Sequence, residues 1–289
     1  MADMRGKTVL VTGANQGIGK ASAVALGKLG ANVVIVCRNA DKGRVAVGDI
    51  ERAGAKSVEL LVADLSSQAD VRRVAAEFKA KHERLDVLLN NAGVLVPSRR
   101  TTVDGIEETL AINHLAYFIL TTELLETLKA SAPSRIVNVS SEAHRGAKMR
   151  WDDLEFKTGS YSAIRVYGQS KLANILFTRE LSRRLQGARV TANSLHPGVI
   201  ASGFGQTYGG FVSLLIKLVR PFLITTEEGA RTSVYLASAP DVEGVTGKYF
   251  DKCKERQPSQ AALEDGAPER LWAMTETLCS ARDKPSAAA

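Results

Sequence analysis

Cysteine is scarce in this 289-residue chain, with Cys37, Cys253 and Cys279 its only three. They are odd in number, far apart and without a C-x-x-C pair. That excludes a disulfide framework and points to reduced thiols in a cytoplasmic compartment. The four histidines (His82, His114, His144, His196) each lie 30 or more residues from the next. No local zinc spacing results, and no metal is expected. No apolar run reaches the ~18–20 residues of a membrane span, and the opening MADMRGKTVLVTG lacks the layout of a signal peptide. Acidic residues are outnumbered, 31 Asp plus Glu against 38 Lys plus Arg, so the net charge is +7. An anionic partner is therefore to be sought. Nucleic acid is not expected, because the basic residues are dispersed and no recognition motif is present.

What remains is ordinary globular material, 45% hydrophobic and 24% charged, which excludes disorder and fibrous repeats. Short β-branched runs alternate with helical patterns. Strands are expected at 7–12 (KTVLVT), 32–37 (NVVIVC), 58–62, 85–89, 135–139, 190–195 and, ending a seventh, 247–250. Helices are expected at 17–29, 41–53, 67–82, 105–128, 166–185 and 229–237. The strands are near-continuous apolar runs, as in a parallel sheet covered on both faces. The expected fold is therefore α/β, a single-domain Rossmann-type doubly wound parallel sheet of about seven strands with helices on both faces. No linker divides residues 1–289. Two segments interrupt the rhythm, 142–164 and 201–224, and residues from about 251 onward form a C-terminal extension.

Strand one runs into Thr12-Gly13-Ala14-Asn15-Gln16-Gly17-Ile18-Gly19 and then a helix. Glycines permit positive φ and close approach of a phosphate to the backbone. The following helix N-terminus offers free N–H groups and partial positive charge. The spacing is G-x-x-x-G-x-G, and a plain tight turn is the alternative. Strand two ends Cys37-Arg38-Asn39, without the carboxylate that would repel a 2′-phosphate and with an arginine that can pair with one. NADP(H) is thus expected over NAD(H). Asp64 and Leu65 close strand three, where the carboxylate can accept from an adenine amino group or cap the next helix. Asn90-Asn91-Ala92-Gly93 follows strand four and suits a cofactor wall or a turn.

Tyr167 and Lys171 are four residues apart on an expected helix and so share a face. A tyrosine is a poor acid–base catalyst at its ordinary pKa of ~10. Lowering it by ~2–3 pH units takes roughly 3–4 kcal/mol, which a close ammonium in a partly dry site can supply. Tyr167 could then exchange a proton with a carbonyl or alcohol oxygen near neutral pH. Ser140 and Ser141 follow strand five, where ligands bind in such sheets. Asn113 lies inside a long helix against its propensity and can bend it or hold a water.

TGANQGIG, NNAG, an internal Asn, a strand-end Ser-Ser and Y-x-x-x-K occur in the order that resembles the short-chain dehydrogenase/reductase family. The resemblance covers about residues 7–250. It extends to the retinol-dehydrogenase-like branch through Cys37-Arg38-Asn39, WDDL from Trp151, YGQSKLANILF from Tyr167, His196-Pro197-Gly198, GKYF from Gly247 and Arg270-Leu271-Trp272. It implies a catalytic set of Asn113, Ser141, Tyr167 and Lys171, with Ser141 preferred over Ser140 for orienting substrate and Lys171 also holding the nicotinamide ribose. It also implies cofactor contacts from Gly13, Asn15, Gln16, Gly17, Ile18, Gly19, Arg38, Asn39, Asp64, Leu65, Asn91, Ala92, Gly93, Tyr167, Lys171, Pro197, Gly198, Ile200 and Ser202. Relatives often pair through the helices matching those of Asn113 and Tyr167, so a homodimer or homotetramer is implied too. Two departures stand out: the chain shows no N-terminal apolar anchor of the membrane-bound members, and Asn15 and Gln16 fill turn positions where many NADP-preferring relatives carry a basic residue.

Residues 211–223 (FVSLLIKLVRPFL) are aliphatic with two cations. They suit an apolar lid, a helix lying weakly on a membrane surface, or core. An apolar lid argues for a lipophilic aldehyde or ketone, interconverted with its alcohol. A non-turnover NADP(H)-binding sensor is the alternative function, and both Tyr167 and Lys171 count against it.

Overall fold

The computed structural model describes residues 3–198 and 224–280. Ile200, Ser202 and the 211–223 segment lie outside them. The chain folds as a single α/β domain around one eight-stranded sheet of order β3-β2-β1-β4-β5-β6-β7-β8. The strands are β1 (Thr8–Thr12), β2 (Asn32–Cys37), β3 (Ser57–Val62), β4 (Val87–Asn90), β5 (Ser134–Val139), β6 (Val190–His196), β7 (Tyr249–Asp251) and β8 (Lys254–Arg256). The first seven are parallel; β8 runs antiparallel to β7 and is an additional edge strand. Because β1 lies between β2 and β4, the winding reverses there. In sheets wound this way ligands bind at that point, beyond the strand carboxyl ends.

The apolar runs divide by alternation. Val9, Val11, Val33 and Ile35 face one layer, while Leu10, Val34 and Val36 face the other, all at most 1% exposed. Each such side chain contributes roughly 1.5–3 kcal/mol on burial. The first layer packs against α1 (Gly17–Lys28), α2 (Ala40–Arg52) and α8 (Thr226–Ser238). The second packs against α3 (Gln68–Lys81), a broken helix α4 (Glu108–Leu110), α5 (Ala116–Glu123) and α6 (Leu125–Ala130), and the 22-residue α7 (Ala163–Arg184).

Side-chain caps set several helix starts. Asn39 accepts from the Lys42 N–H at 2.8 Å to begin α2, and Ser67 accepts from the Asp70 N–H at 3.3 Å to begin α3. The helix expected over 105–128 starts only at Glu108, because buried Glu107 caps it through the N–H groups of Thr109 and Leu110. It then passes through a π-turn at Ala111–Leu115.

The C-terminal extension adds α9 (Gln260–Leu263) and α10 (Ala267–Ser280), which no periodicity had indicated. Trp272 of α10 wedges against Phe118 and Phe177, with ring centres 4.8 and 5.7 Å away. The Arg184 guanidinium covers the same indole at 4.2 Å.

Candidate active site

The glycine turn is tight for steric reasons. Gly13 adopts φ +67°, and a Cβ there would lie 2.9 Å from the Ala92 Cα. A Cβ on Gly19 would lie 2.5 Å from the Asn91 amide nitrogen and from the Gly13 carbonyl oxygen. Only glycine lets β1, α1 and the end of β4 approach so closely. The first turn of α1 holds no acidic residue, and Gln16 at its N-cap makes no side-chain capping bond. Its N–H groups and partial positive charge are left for an anion. Asn15, Gln16, Gly17 and Ile18 line this turn.

Arg38 is exposed at the carboxyl end of β2, with no ion-pair partner among the described residues. Asn39 beside it serves as the α2 cap. Asp64 lies two residues beyond β3 and does not cap α3, a role taken by Ser67; one Asp64 oxygen accepts from the Ser66 N–H at 3.0 Å. Leu65 is buried behind it at 9% exposure.

The Asn91-Ala92-Gly93 wall is held from below. Thr12 Oγ1 accepts from the N–H groups of Asn91 and Ala92 at 2.9 and 3.0 Å, and the Tyr117 hydroxyl donates to the Ala92 carbonyl at 2.7 Å. Asn113 is fully buried within the π-turn. Its Oδ1 accepts from the Val94 N–H at 2.8 Å, while its amide donates to the Val94 carbonyl and to Ser170 Oγ, each at 2.9 Å. It thereby ties the β4 wall to α7.

Tyr167 and Lys171 do share a face of α7, with Nζ 5.6 Å from the centre of the Tyr167 ring. Lys171 is 2% exposed and donates to the Val139 carbonyl at 3.0 Å. Burial pushes its pKa down to about 7. Tyr167 is only partly buried by exposure, yet the surrounding protein pushes its pKa up to about 12, with a hydrogen bond from Ser141 pulling the other way. The lowered Tyr167 pKa expected from the Y-x-x-x-K spacing is thus not what the fold's own groups produce. The ammonium meant to favour the phenolate is itself half discharged near neutrality, and desolvation prevails. The serine pair divides: Ser140 donates to the Lys171 carbonyl at 2.7 Å, whereas Ser141 reaches Tyr167.

The sequence matches the model of the short chain dehydrogenase family over residues 7–209. This chain belongs to that family. Retinol dehydrogenase 14 of Homo sapiens is 44% identical over 294 residues, covering 95% of this chain and 87% of that protein. Retinol dehydrogenase 12 of Mus musculus is 46% identical over 269 residues, covering 92% and 84%. The chain lies in the retinol-dehydrogenase-like branch and is an oxidoreductase acting on CH–OH and C=O groups. Among solved structures, an uncharacterised protein from Mycobacterium paratuberculosis is similar with a TM-score of 0.77 and 33% identity, covering 96% of this chain and 95% of that one. The Pseudomonas aeruginosa RhlG/NADP active-site complex is similar with a TM-score of 0.71 and 28% identity, covering 86% and 95%.

This short-chain dehydrogenase brings the sequence-predicted residues from Gly13 to Lys171, with Pro197 and Gly198 after β6, to the carboxyl ends of the strands. Those residues fit a dinucleotide of the family's NAD(P) type: a turn whose glycines 13 and 19 leave no room for a side chain, a helix N-terminus without a side-chain cap and a cation at the end of β2. Sequence reasoning missed the supports. Thr12, Tyr117, Ser170 and His144 each hold a site residue in place, and His196 holds the Glu142 N–H next to Ser141; Thr12, Ser170 and His196 stood inside the quoted motifs, whereas Tyr117 and His144 carried no signal. Among the described residues no helix is long and apolar enough to cross a membrane, and no three His, Cys, Asp or Glu side chains are grouped to hold a metal.

Proposed function

We propose that this chain is an NADP(H)-dependent reductase/dehydrogenase of a lipophilic aldehyde or ketone and its alcohol. The observation that carries the reading is the contact of Ser141 with Tyr167 beside the Lys171 ammonium, 5.6 Å from the phenol ring centre, at the strand carboxyl ends that carry the glycine turn. NADPH, when bound, supplies the hydride. The α1 N-terminus and the glycine turn hold its pyrophosphate, and Arg38 pairs with the 2′-phosphate. Asp64 and Leu65 receive the adenine. Asn91, Ala92, Gly93, Pro197 and Gly198 wall the nicotinamide side, and Lys171 takes the ribose. Ile200 and Ser202 belong to the same proposal.

A Tyr167 pKa of about 12 keeps its proton on the hydroxyl. That is the form that can protonate a carbonyl oxygen as the carbon accepts hydride. Ser141 orients the same oxygen, and Asn113 keeps the β4 wall and α7 in register. The relatives named for retinol, an apolar alcohol, and the aliphatic 211–223 segment support a lipophilic substrate, with weak membrane contact by that segment as part of the proposal. The NADP in the RhlG complex supports the cofactor choice. Pairing into a homodimer or homotetramer is proposed only through surfaces other than the part of α5 and α7 that α10 covers.

The test is an NADPH-oxidation screen over retinal, steroid ketones, medium-chain aldehydes and aryl ketones. Tyr167→Phe is expected to lower kcat by about 10²–10⁴-fold while leaving NADPH binding within about twofold. Retained turnover removes Tyr167 from its role. Binding of NADPH without turnover of any carbonyl favours the sensor alternative.

A further inference from the structure

The peptide group after Ser141 is gripped from both sides by buried histidines. The Ser141 carbonyl accepts from His144 Nδ1 at 2.6 Å, and the Glu142 N–H of the same peptide donates to His196 Nδ1 at 3.3 Å. His144 is fully buried and His196 is 8% exposed. The surrounding bonds determine which nitrogen carries each proton. The Ser259 N–H donates to His144 Nε2 at 3.1 Å, so that nitrogen is bare and the proton sits on Nδ1. His196 Nδ1 must be bare to accept from Glu142, so its proton sits on Nε2. The two rings therefore use opposite tautomers, one donating to the peptide and one accepting from it.

The consequence lies one bond away. Ser141 is extended, with φ −162° and ψ 155°. Its ψ is the torsion that joins Cα to the gripped carbonyl carbon. Holding the peptide plane holds that torsion, and with it the direction of the Cα–Cβ bond. Oγ is thereby aimed at Tyr167 while accepting from the Ala143 N–H at 3.2 Å.

We propose that His144 and His196 are positioning residues, a two-histidine clamp on the Ser141–Glu142 peptide that keeps the Ser141 hydroxyl in register with Tyr167. The clamp rests on the reading of Ser141 as the substrate-orienting hydroxyl. Through Ser259 it also couples the serine to the C-terminal segment, which sequence distance alone would not suggest.

The experiment is a double-mutant cycle on the full chain with NADPH and the best carbonyl from the screen. His196→Leu and His196→Asn are each made with and without Ser141→Ala, with NADPH affinity and thermal midpoint as controls. His196→Leu removes the acceptor and is expected to lower kcat about tenfold, leaving the KM for NADPH unchanged. His196→Asn retains an acceptor oxygen and is expected to recover most of that loss. In the Ser141→Ala background the Leu substitution is expected to cost less than about twofold. Equal fractional losses in both backgrounds, or Asn no better than Leu, overturn the clamp alone. If Ser141→Ala itself leaves kcat intact, the orienting role falls and the clamp falls with it. Should His196→Leu fail to fold, Ser259→Pro is the variant to read. The backbone φ of −67° there already suits proline, and the change deletes the N–H that sets the His144 tautomer together with a buried hydroxyl that makes no hydrogen bond. Its expected kcat loss of about twofold or more must likewise vanish with Ser141→Ala.

Discussion

Lys171 is the site residue whose ionisation burial changes within the neutral-to-alkaline range. Its folded pKa of about 7 lies below the ordinary 10.5, so between those values the unfolded chain binds more protons than the folded one. Stability therefore rises with pH across that window, and the penalty is complete below about 7. Tyr167 acts in the opposite sense at higher pH: folded, it keeps its proton to about 12, so stability falls as pH climbs past 10. The thermal midpoint of the cofactor-free protein is expected to rise from pH 7 toward 10 and then turn over. Lys171→Met is expected to be more stable than wild type at pH 7 and to lose the rise. The Val139 carbonyl stays paired in that variant, because Asn174 also donates to it at 3.2 Å. Identical pH slopes would remove desolvation of Lys171 as the cause. Arg38 makes a second residue-scale prediction. Arg38→Asp is expected to lower kcat/KM for NADPH roughly 10–100-fold, the worth of a charge-assisted contact of about 1.5–3 kcal/mol, and to raise it for NADH. An unchanged preference for NADPH sinks the role of Arg38.

Among the elements, α10 shows most clearly how a distant segment supports the site helices. Leu271, Trp272, Thr275 and Cys279 are its buried face, and Thr275 reaches His114 at 2.9 Å inside the π-turn. The π-turn places Asn113 against Val94 and Ser170, so α10 braces the same turn from behind. Trp272→Ala is expected to cost about 3–5 kcal/mol in urea unfolding, since Phe118, Phe177 and Arg184 cannot close around the void. A loss below about 1 kcal/mol would mean that the face collapses and that α10 is peripheral. The strand-and-helix rhythm was legible from period alone, because each apolar run records local burial. The start of α4 and the π-turn were not, because Glu107 caps through backbone groups and Asn113 answers to Val94, a partner outside its helix.

Across the whole molecule, three buried histidines share one liability. Burial pushes the pKa of His114 down to about 4 and lowers those of His144 and His196. Each is held neutral in the fold, whereas the unfolded chain protonates them near 6.5. The unfolded state thus binds more protons below that value, and stability falls as pH drops from about 6.5 toward 4. The urea midpoint is expected to be lower at pH 5 than at pH 7, and His114→Gln is expected to flatten part of that difference. A variant with the full wild-type pH dependence would clear His114. The net charge of +7 finds one proposed counterpart in the cofactor phosphates at Arg38 and α1.

By itself the sequence determined the order of the seven parallel strands and of the helices between them, the glycine turn, the cation at the end of β2 and the one-turn spacing of Tyr167 and Lys171. These are short-range properties, set by periodicity, sterics and neighbours a few positions apart. Only the tertiary structure decided that Ser140 binds the Lys171 carbonyl while Ser141 reaches Tyr167. It alone decided that Ser67 rather than Asp64 caps α3, and that burial drives the Tyr167 and Lys171 pKa values apart from their sequence expectation. Desolvation and hydrogen bonding between residues as distant as His144 and Ser259 depend on what the fold brings together, and no local pattern encodes that.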